Sequence, residues 1–403
     1  MTAAAADIHS SSPTSPGSAP KREPSTTTVV NNTLPGVRVL DLTVTDATLE
    51  LVARQLAVDL SLASADDTRA AKVTRCTQGI TNKLVKVSLP SGLKFLVRIY
   101  GPGTHHLIDR AAETRNLHTL ATLGLAPPLY ATLRNGLVYG YVSGTAAHPA
   151  ALAHPRVSRA VATHLAEWHS TVPVPAQGDV AIGGGAGMWP VLDRWLAMVR
   201  EAAAPNERLC GLSLAELTDE RMRLERELPP SPVVFAHNDL LCGNIVLQHD
   251  SAQTSVDVGD DDGHAESEDE LRAVIGARFI DYEYGGLNAA AFDIANHFNE
   301  WAGFECEYWR YPDVEAQREF LATYLARTHQ HQGGRGVTEE EVETWRQAVQ
   351  QWTLASHLYW IVWAMVQSTM SDIDFDYADY ARQRWAEYER WRASPEPPAR
   401  PST

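Results

Sequence analysis

Residues 237–244 read His-Asn-Asp-Leu-Leu-Cys-Gly-Asn, and residues 280–284 read Ile-Asp-Tyr-Glu-Tyr. Asp239 stands five residues before Asn244, on a loop expected to enter a strand. A second acid, Asp281, is expected at the end of a later strand. Phosphoryl transfer from ATP needs this donor set: a carboxylate to orient the attacking hydroxyl, then an amide and a second carboxylate to hold magnesium. Either segment alone says little. Together they supply one base and two independent metal ligands in the order such a transfer requires.

The phosphate-binding side is expected earlier in the chain. Gln78, Gly79, Ile80, Thr81, Asn82 and Lys83 form a turn between two strands, with Gly79 at its tip. Backbone N–H groups and a short hydroxyl there can cradle phosphates, although many such turns are only hairpins. Arg98 falls on the third strand, where a phosphate-binding cation belongs. Glu113, one helix later, is a charge partner for Arg98 or else a solvated acid on a helix face. Tyr141 and Val142 open a hinge whose backbone would meet adenine.

These groups need a sheet on one side and helices on the other. Residues 37–42 alternate as a short strand. Asp46 is expected to cap a helix running to about residue 62, with Leu49, Val52, Leu56 and Leu60 at helical spacing. Strands follow over 72–78, 84–89 and 93–100, a helix over 105–123, and a hairpin around Asn135-Gly136. Beyond it the pattern is mostly helical, over 155–170, 189–203, 213–227, 289–302, 313–329, 338–368 (with a possible break) and 376–392. A strand pair near 244–248 and 277–281 brackets the chemistry. The division is therefore a disordered tail over 1–36, rich in Ser, Thr, Pro and Ala, an N-lobe over 37–141, a C-lobe over 142–392 and a flexible tail over 393–403.

Composition bounds the function. The chain has 403 residues, 44% hydrophobic and 21% charged, as soluble globular proteins do, and is long enough for two lobes with cores of their own. The formal net charge of −16 argues against a nucleic-acid partner or an anionic membrane surface, both of which need a basic field. Nine acids and no Lys or Arg fall between residues 250 and 270, an insert read as a solvated loop. Cys76, Cys210, Cys242 and Cys306 are scattered, as reduced thiols of a cytoplasmic protein are. No signal or transit peptide is expected. The apolar stretch 354–370 is too short and too interrupted by Ser356, His357 and Gln367 to span a bilayer, so no stable membrane insertion is expected. Nothing in the sequence specifies an oligomeric state.

The segments 79–84, 97–101, 124–130, 237–244, 279–284, 292–300 and 355–363 resemble, in order, those of the choline/ethanolamine kinase family, over roughly residues 37–392. The resemblance implies an α+β, protein-kinase-like bilobal fold: a five-stranded, antiparallel-sheet N-lobe over a large, mostly helical C-lobe, with ATP between. It implies Asp239 as catalytic base and His237 as a brace of the loop. Asn244 and Asp281 become Mg2+ ligands, and residues 78–83 with Arg98 bind phosphates. It further implies an amine pocket of Tyr284, Glu300, Trp360, Trp363 and Tyr380, in which a carboxylate and π-faces receive a small ammonium ion. Each good face contributes about 0.5–2 kcal/mol. The alternative for these aromatics is ordinary helix core. Two departures stand out: Gln78 replaces a second glycine, and Ala289, Ala290 and Ala291 replace larger side chains.

Leu240-Leu241-Cys242 resembles the ethanolamine branch, where choline kinases carry a Gln; these residues are expected near phosphate and metal. The reading is an ethanolamine kinase making phosphoethanolamine for phosphatidylethanolamine synthesis, with a choline or dual-specificity kinase as rival. An aminoglycoside-type kinase would lack the Glu300 and tryptophan set. A pseudokinase would lack one of Asp239, Asn244 and Asp281, and all three are present.

Overall fold

The computed structural model describes residues 34–76, 83–101, 107–174, 187–202, 208–250 and 266–398. Its first part contains β1 (Arg38–Val39), α1 (Leu49–Asp59), α2 (Ala65–Arg69), β2 (Lys72–Cys76), β3 (Lys83–Ser88), β4 (Lys94–Ile99), α3 (Arg110–Thr122), β5 (Leu129–Leu133) and β6 (Gly136–Gly140). The strands form a six-stranded sheet in the order β1-β5-β6-β4-β3-β2. Every pairing is antiparallel except the short β1, which runs parallel to β5. The expected five-stranded sheet thus gains an edge strand, and the strand expected over 37–42 shrinks to two residues. Helix α1 starts at Leu49 rather than at Asp46. The Asp46 carboxylate is engaged elsewhere, accepting from Arg75 (2.6 Å) and Lys83 (2.8 Å).

Strand alternation decides which side chains face the cleft. Val85, Val87, Phe95, Val97 and Val138 pack with Leu49, Ala53 and Leu56 of α1 in a closed apolar core. Arg98, next to Val97 and in register with Leu84 and Leu137, must point to the opposite face.

The rest of the chain carries β7 (Thr145–Ala146), α4 (Pro155–Thr171), α5 (Met188–Ala202), β8 (Arg208–Leu209), β9 (Leu212–Ser213), α6 (Leu214–Glu227), β10 (Val233–Ala236), β11 (Ile245–His249), α7 (Glu268–Arg272) and β12 (Val274–Phe279). It ends with β13 (Gly286–Ala289), α8 (Ala290–Asn299), α9 (Val314–His331), α10 (Glu339–Met370) and α11 (Tyr377–Ala393). Helix α10 is continuous over 32 residues, because no Gly or Pro interrupts it. Its second half is buried on every face, from Ala355 to Gln367, as a central core helix is. Among the described residues no helix is long and apolar enough to cross a membrane.

Two small ladders matter most for chemistry. β10 pairs antiparallel with β13, setting Ala236 opposite Gly286, and β11 pairs antiparallel with β12, setting Ile245 opposite Phe279. The loop 237–244 leaves β10 and enters β11; the loop 280–285 leaves β12 and enters β13. Both ends of both loops are therefore held in register. The β10–β13 ladder escapes sequence reading because neither four-residue strand alternates.

The segment after β6 crosses β11 at close range. Gly144 has φ +137°, and a Cβ there would lie 2.3 Å from the Leu247 carbonyl oxygen. Gln248 donates to the Ser143 carbonyl at 2.7 Å, fixing the crossing. Gly144→Ala should therefore destabilise the protein by more than about 1 kcal/mol, read as a lower urea midpoint at unchanged m-value.

Candidate active site

The loop 237–244 starts from a buried carboxylate. Asp293 on α8 has no exposed surface. It accepts hydrogen bonds from the backbone N–H of His237 and of Asn238, both at 2.8 Å, and contacts His169 Nε2 at 2.9 Å. The other His169 nitrogen meets the Tyr324 hydroxyl at 2.8 Å. Burial alone would push the Asp293 carboxyl up, but His169, then His237 and its backbone, hold it below the ordinary range. Asn238 takes a left-handed φ of +66°, and its side chain donates to the Tyr284 carbonyl (2.9 Å) and accepts from Asn288 (2.8 Å). His237 is fully buried, and burial pushes its imidazole below the ordinary range. The neutral ring bonds through Nε2 to the Ile280 carbonyl at 3.0 Å, so it braces the residue preceding Asp281 rather than facing a substrate.

Asp239 lies 8% exposed at the turn of this loop. Asn244 Nδ2 donates to both its carbonyl (2.8 Å) and its Oδ2 (3.1 Å). The Asn244 carbonyl accepts from Ile280 N–H at 3.0 Å, which brings the second loop alongside. Burial pushes the Asp239 carboxyl well up, and Glu300, Asp281 and Glu283 push it further. Asp239 is thus within electrostatic reach of both Asp281 and Glu300. Asp281 sits at φ +63° with about a third of its side chain exposed. With the Asn244 nitrogen committed to Asp239, the pair offers oxygen donors only. That suits magnesium, which takes one or two protein oxygens and completes its shell with phosphate and water. No group of three His, Cys, Asp or Glu suited to a metal occurs among the described residues.

Arg98 is buried and pairs with Glu113, which is 2% exposed, so Glu113 is not a solvated acid. Arg98 also reaches Asp281 at 3.1 Å, while its Nε–H finds no partner among the described residues. Arg110 was not singled out from sequence. It joins Glu113 (2.9 Å) to Glu283 (3.1 Å) and lies over the Tyr100 ring. Its i, i+3 spacing from Glu113 on α3 was the available signal. Lys83 is exposed and bound to Asp46. Gln78, Gly79, Ile80, Thr81 and Asn82 lie outside the described residues. Tyr141 N–H donates to the Lys94 carbonyl at 3.2 Å, with the Lys86 and Lys94 ammonium groups over its ring; Val142 follows it, half-buried.

The five amine-pocket candidates gather at one place. Tyr284 stands edge-on to Trp360 at 5.4 Å, Trp360 to Trp363 at 5.2 Å, and Trp363 to Tyr380 at 6.5 Å. Trp363 Nε1 donates to the Tyr284 hydroxyl at 2.8 Å. Glu300 pairs with the buried Arg384, a residue sequence reading passed over. Arg384 also donates Nε–H to the Tyr380 hydroxyl at 2.9 Å and covers that ring. Glu300 is therefore not an isolated countercharge, and one face of Tyr380 is taken. The Tyr-x-x-x-Arg spacing on α11 is the signal that was available. Burial first, then Glu300, push the Cys242 thiol up to about 12. The loop marker, two residues before Asn244, is thus within electrostatic reach of Glu300 as well.

Asp293→Asn should replace an acceptor of two backbone bonds with an amide that serves them poorly. We expect a stability loss of about 2–4 kcal/mol and a kcat lowered roughly a hundredfold. The wild-type carboxyl titrates below its ordinary 3.8. Its contribution is complete at neutral pH and is lost as pH falls through that depressed value. Acid unfolding below about pH 4 should accordingly be shallower in the variant, as thermal melts across a pH series would record.

The choline/ethanolamine kinase family model matches residues 73–389. Ethanolamine kinase 2 of Homo sapiens is 38% identical over 327 residues, covering 79% of this chain and 75% of its own. Ethanolamine kinase 1 of Mus musculus is 36% identical over 333 residues, covering 80% and 84%. An ethanolamine kinase structure from Plasmodium vivax shares the fold with a TM-score of 0.67 at 24% identity, over 85% of this chain and 89% of that one. A choline kinase structure from Cryptosporidium parvum gives 0.64 at 21%, over 85% and 95%. The fold is thus the α+β, protein-kinase-like one. With a family match spanning most of its length and ethanolamine kinases as relatives on that scale, this chain belongs to the choline/ethanolamine kinase family.

Proposed function

We propose that this chain is an ATP-dependent ethanolamine kinase, transferring the γ-phosphoryl group to the ethanolamine hydroxyl to give phosphoethanolamine. The observation that carries the reading is the bonding around Asp239: Asn244 donates to its carboxylate, and the preceding Asn238 is tied to the Tyr284 carbonyl and, through Asn296, to Trp360. These bonds link the proposed base both to a magnesium-compatible pair and to the proposed amine pocket. The relatives at 36–38% identity are named as ethanolamine kinases. The four cysteines are scattered along the chain rather than closely paired, which suits a reducing compartment, and we place the enzyme in the cytoplasm.

The residues divide the work. The hinge at Tyr141 and Val142 offers backbone groups to adenine. Arg98, whose Nε–H has no partner among the described residues, and residues 78–83 receive phosphate oxygens, while Glu113 fixes the guanidinium. Asn244 and Asp281 would hold Mg2+, which offsets charge on the transferred group and its leaving oxygen. Tyr284, Glu300, Trp360, Trp363 and Tyr380 enclose the ammonium end, leaving the hydroxyl toward Asp239. Asp239 accepts the hydroxyl proton only as a carboxylate. Burial and three acidic neighbours oppose that form, so positive charge arriving beside Asp281 and Glu300 favours it.

Phosphorylation of ethanolamine and choline, assayed in parallel with ATP and magnesium, tests the reading. Ethanolamine turnover should exceed choline turnover, and Asp239→Asn should lower kcat on the order of 10²–10⁴-fold while ATP still binds. Turnover led by choline would move the substrate assignment. Turnover surviving in Asp239→Asn would remove the base.

A further inference from the structure

One buried amide touches both the catalytic loop and the wall of the aromatic pocket. Asn296 on α8 has no exposed surface. Its Nδ2 donates to the Asn238 carbonyl at 3.2 Å, and that carbonyl belongs to the peptide bond whose nitrogen is Asp239's. Its Oδ1 accepts from Trp360 Nε1 at 2.7 Å and from the Ser356 hydroxyl at 2.9 Å, both on α10. Ser356 accepts in turn from Asn299 Nδ2 at 3.0 Å. A second link runs in parallel, from Asn238 Nδ2 to the carbonyl of Tyr284, another pocket residue.

These bonds are shielded from water, so no partner can be exchanged for solvent. If the Trp360 indole shifts, either Asn296 follows it or a buried polar group goes unpaired. If Asn296 shifts, the peptide before Asp239 loses its donor. A packing asparagine would need partners too, but not these two. Here the two ends of one amide meet the two groups that must act on the same substrate molecule, its ammonium end and its hydroxyl end.

We infer that Asn296 is a positioning residue that couples Trp360 to the Asn238–Asp239 peptide, so that the wall of the amine pocket sets the aim of the base. The inference rests on the assignment of Trp360 to that pocket. Trp360→Phe keeps a ring face and deletes only the Nε1–H donor. Asn296→Ala breaks both arms, and Ser356→Ala keeps the indole bond.

The test combines steady-state kinetics, hydrolysis of ATP without amine, thermal melts and hydrogen exchange of peptides spanning 237–244. Trp360→Phe should lower kcat roughly ten- to a hundredfold with ethanolamine. It should also slow amine-free ATP hydrolysis, which uses Asp239 but not the pocket, with KM for ATP held within about twofold. The Trp360→Phe/Asn296→Ala double variant should be no worse than Asn296→Ala alone. Ser356→Ala should retain kcat within about threefold. A change confined to KM for ethanolamine would make Trp360 a pocket wall only and overturn the coupling. Multiplying losses, or a lower melting temperature with kcat intact, would do the same. Should Asn296→Ala fail to fold, Trp360→Phe and Ser356→Ala still decide the matter, since neither empties the hub. Hydrogen exchange needs no substrate. Faster exchange over 237–244 in Trp360→Phe supports the link even if ethanolamine proves the wrong amine, and unchanged exchange overturns it.

Discussion

The catalytic loop hangs from one carboxylate. Asp293 gathers two consecutive backbone N–H groups and an imidazole without any water around it. Two adjacent N–H groups can converge on one acceptor only if the backbone turns sharply between them, and Asn238 supplies that turn with a left-handed φ. Asparagine tolerates this conformation better than most residues, and its side chain is tied at both ends. The Asp293 contact therefore fixes where the loop starts, how it bends, and which way Asp239 leaves it. The ladders β10–β13 and β11–β12 then fix the far ends. The proposed base and the two magnesium-ligand candidates come from two stretches of chain, which are joined by the Ile280 N–H bond to the Asn244 carbonyl and by the His237 Nε2 bond to the Ile280 carbonyl.

Around this frame the cleft gathers acids. Asp281, Glu283 and Glu300 all act on Asp239. Like charges gathered this closely repel one another, and three largely buried arginines stand among them. Arg98 serves Glu113 and Asp281, Arg110 serves Glu113 and Glu283, and Arg384 serves Glu300. Desolvating such pairs can cost more than their attraction returns, so they are poor devices for stability. They are good devices for geometry. A guanidinium stays charged and presents a rigid fork that can hold two carboxylates at a set separation. Arg98 and Arg110 share Glu113 in this way and span from the sheet and α3 to the loop after β12.

The legible parts of the sequence were those where chemistry needs a fixed order along the chain. Asp239, Asn244 and Asp281 fall on two short loops, and Arg98 falls on the third of the expected strands; its cleft-facing direction follows from the observed register. Glu113 was harder, because a carboxylate one helix away reads equally as a solvated face; only its burial against Arg98 separates the two. Asp293 and Asn296 were not singled out individually, since their partners lie 55 and 58 positions away; for Arg384 the spacing to Tyr380 was legible, but its pairing with Glu300, 84 positions away, was not. β1 was misjudged because its pairing is parallel and long-range, and α1 because a carboxylate before a helix resembles a cap until its cationic partners are known. Local rules place elements; the pairing of buried polar groups follows from tertiary packing.

The contacts between the sheet-bearing part and the helical part show how ligands could enter without disrupting either core. The apolar cluster under the sheet is separate from the large one around α10. Across the cleft run Arg98–Asp281, Arg110–Glu283 and the Asn116 bond to the Gly285 carbonyl. Two of these are charge pairs made by groups that phosphate and metal would also seek. On the assignment proposed above, bringing in a polyanion with its cation would replace one set of opposite charges by another, Arg98 taking phosphate and Asp281 taking metal. The acidic cleft therefore does not have to desolvate fresh charge in order to bind; it exchanges partners among groups already held in place. By contrast the aromatic pocket is braced on α10 and α11 by the Trp360–Asn296, Trp363–Tyr284 and Arg384–Tyr380 bonds. The amine half is preformed and the phosphate half exchanges charge partners. This order suits a reaction whose small acceptor has few atoms with which to drive a conformational change, and whose nucleotide has many.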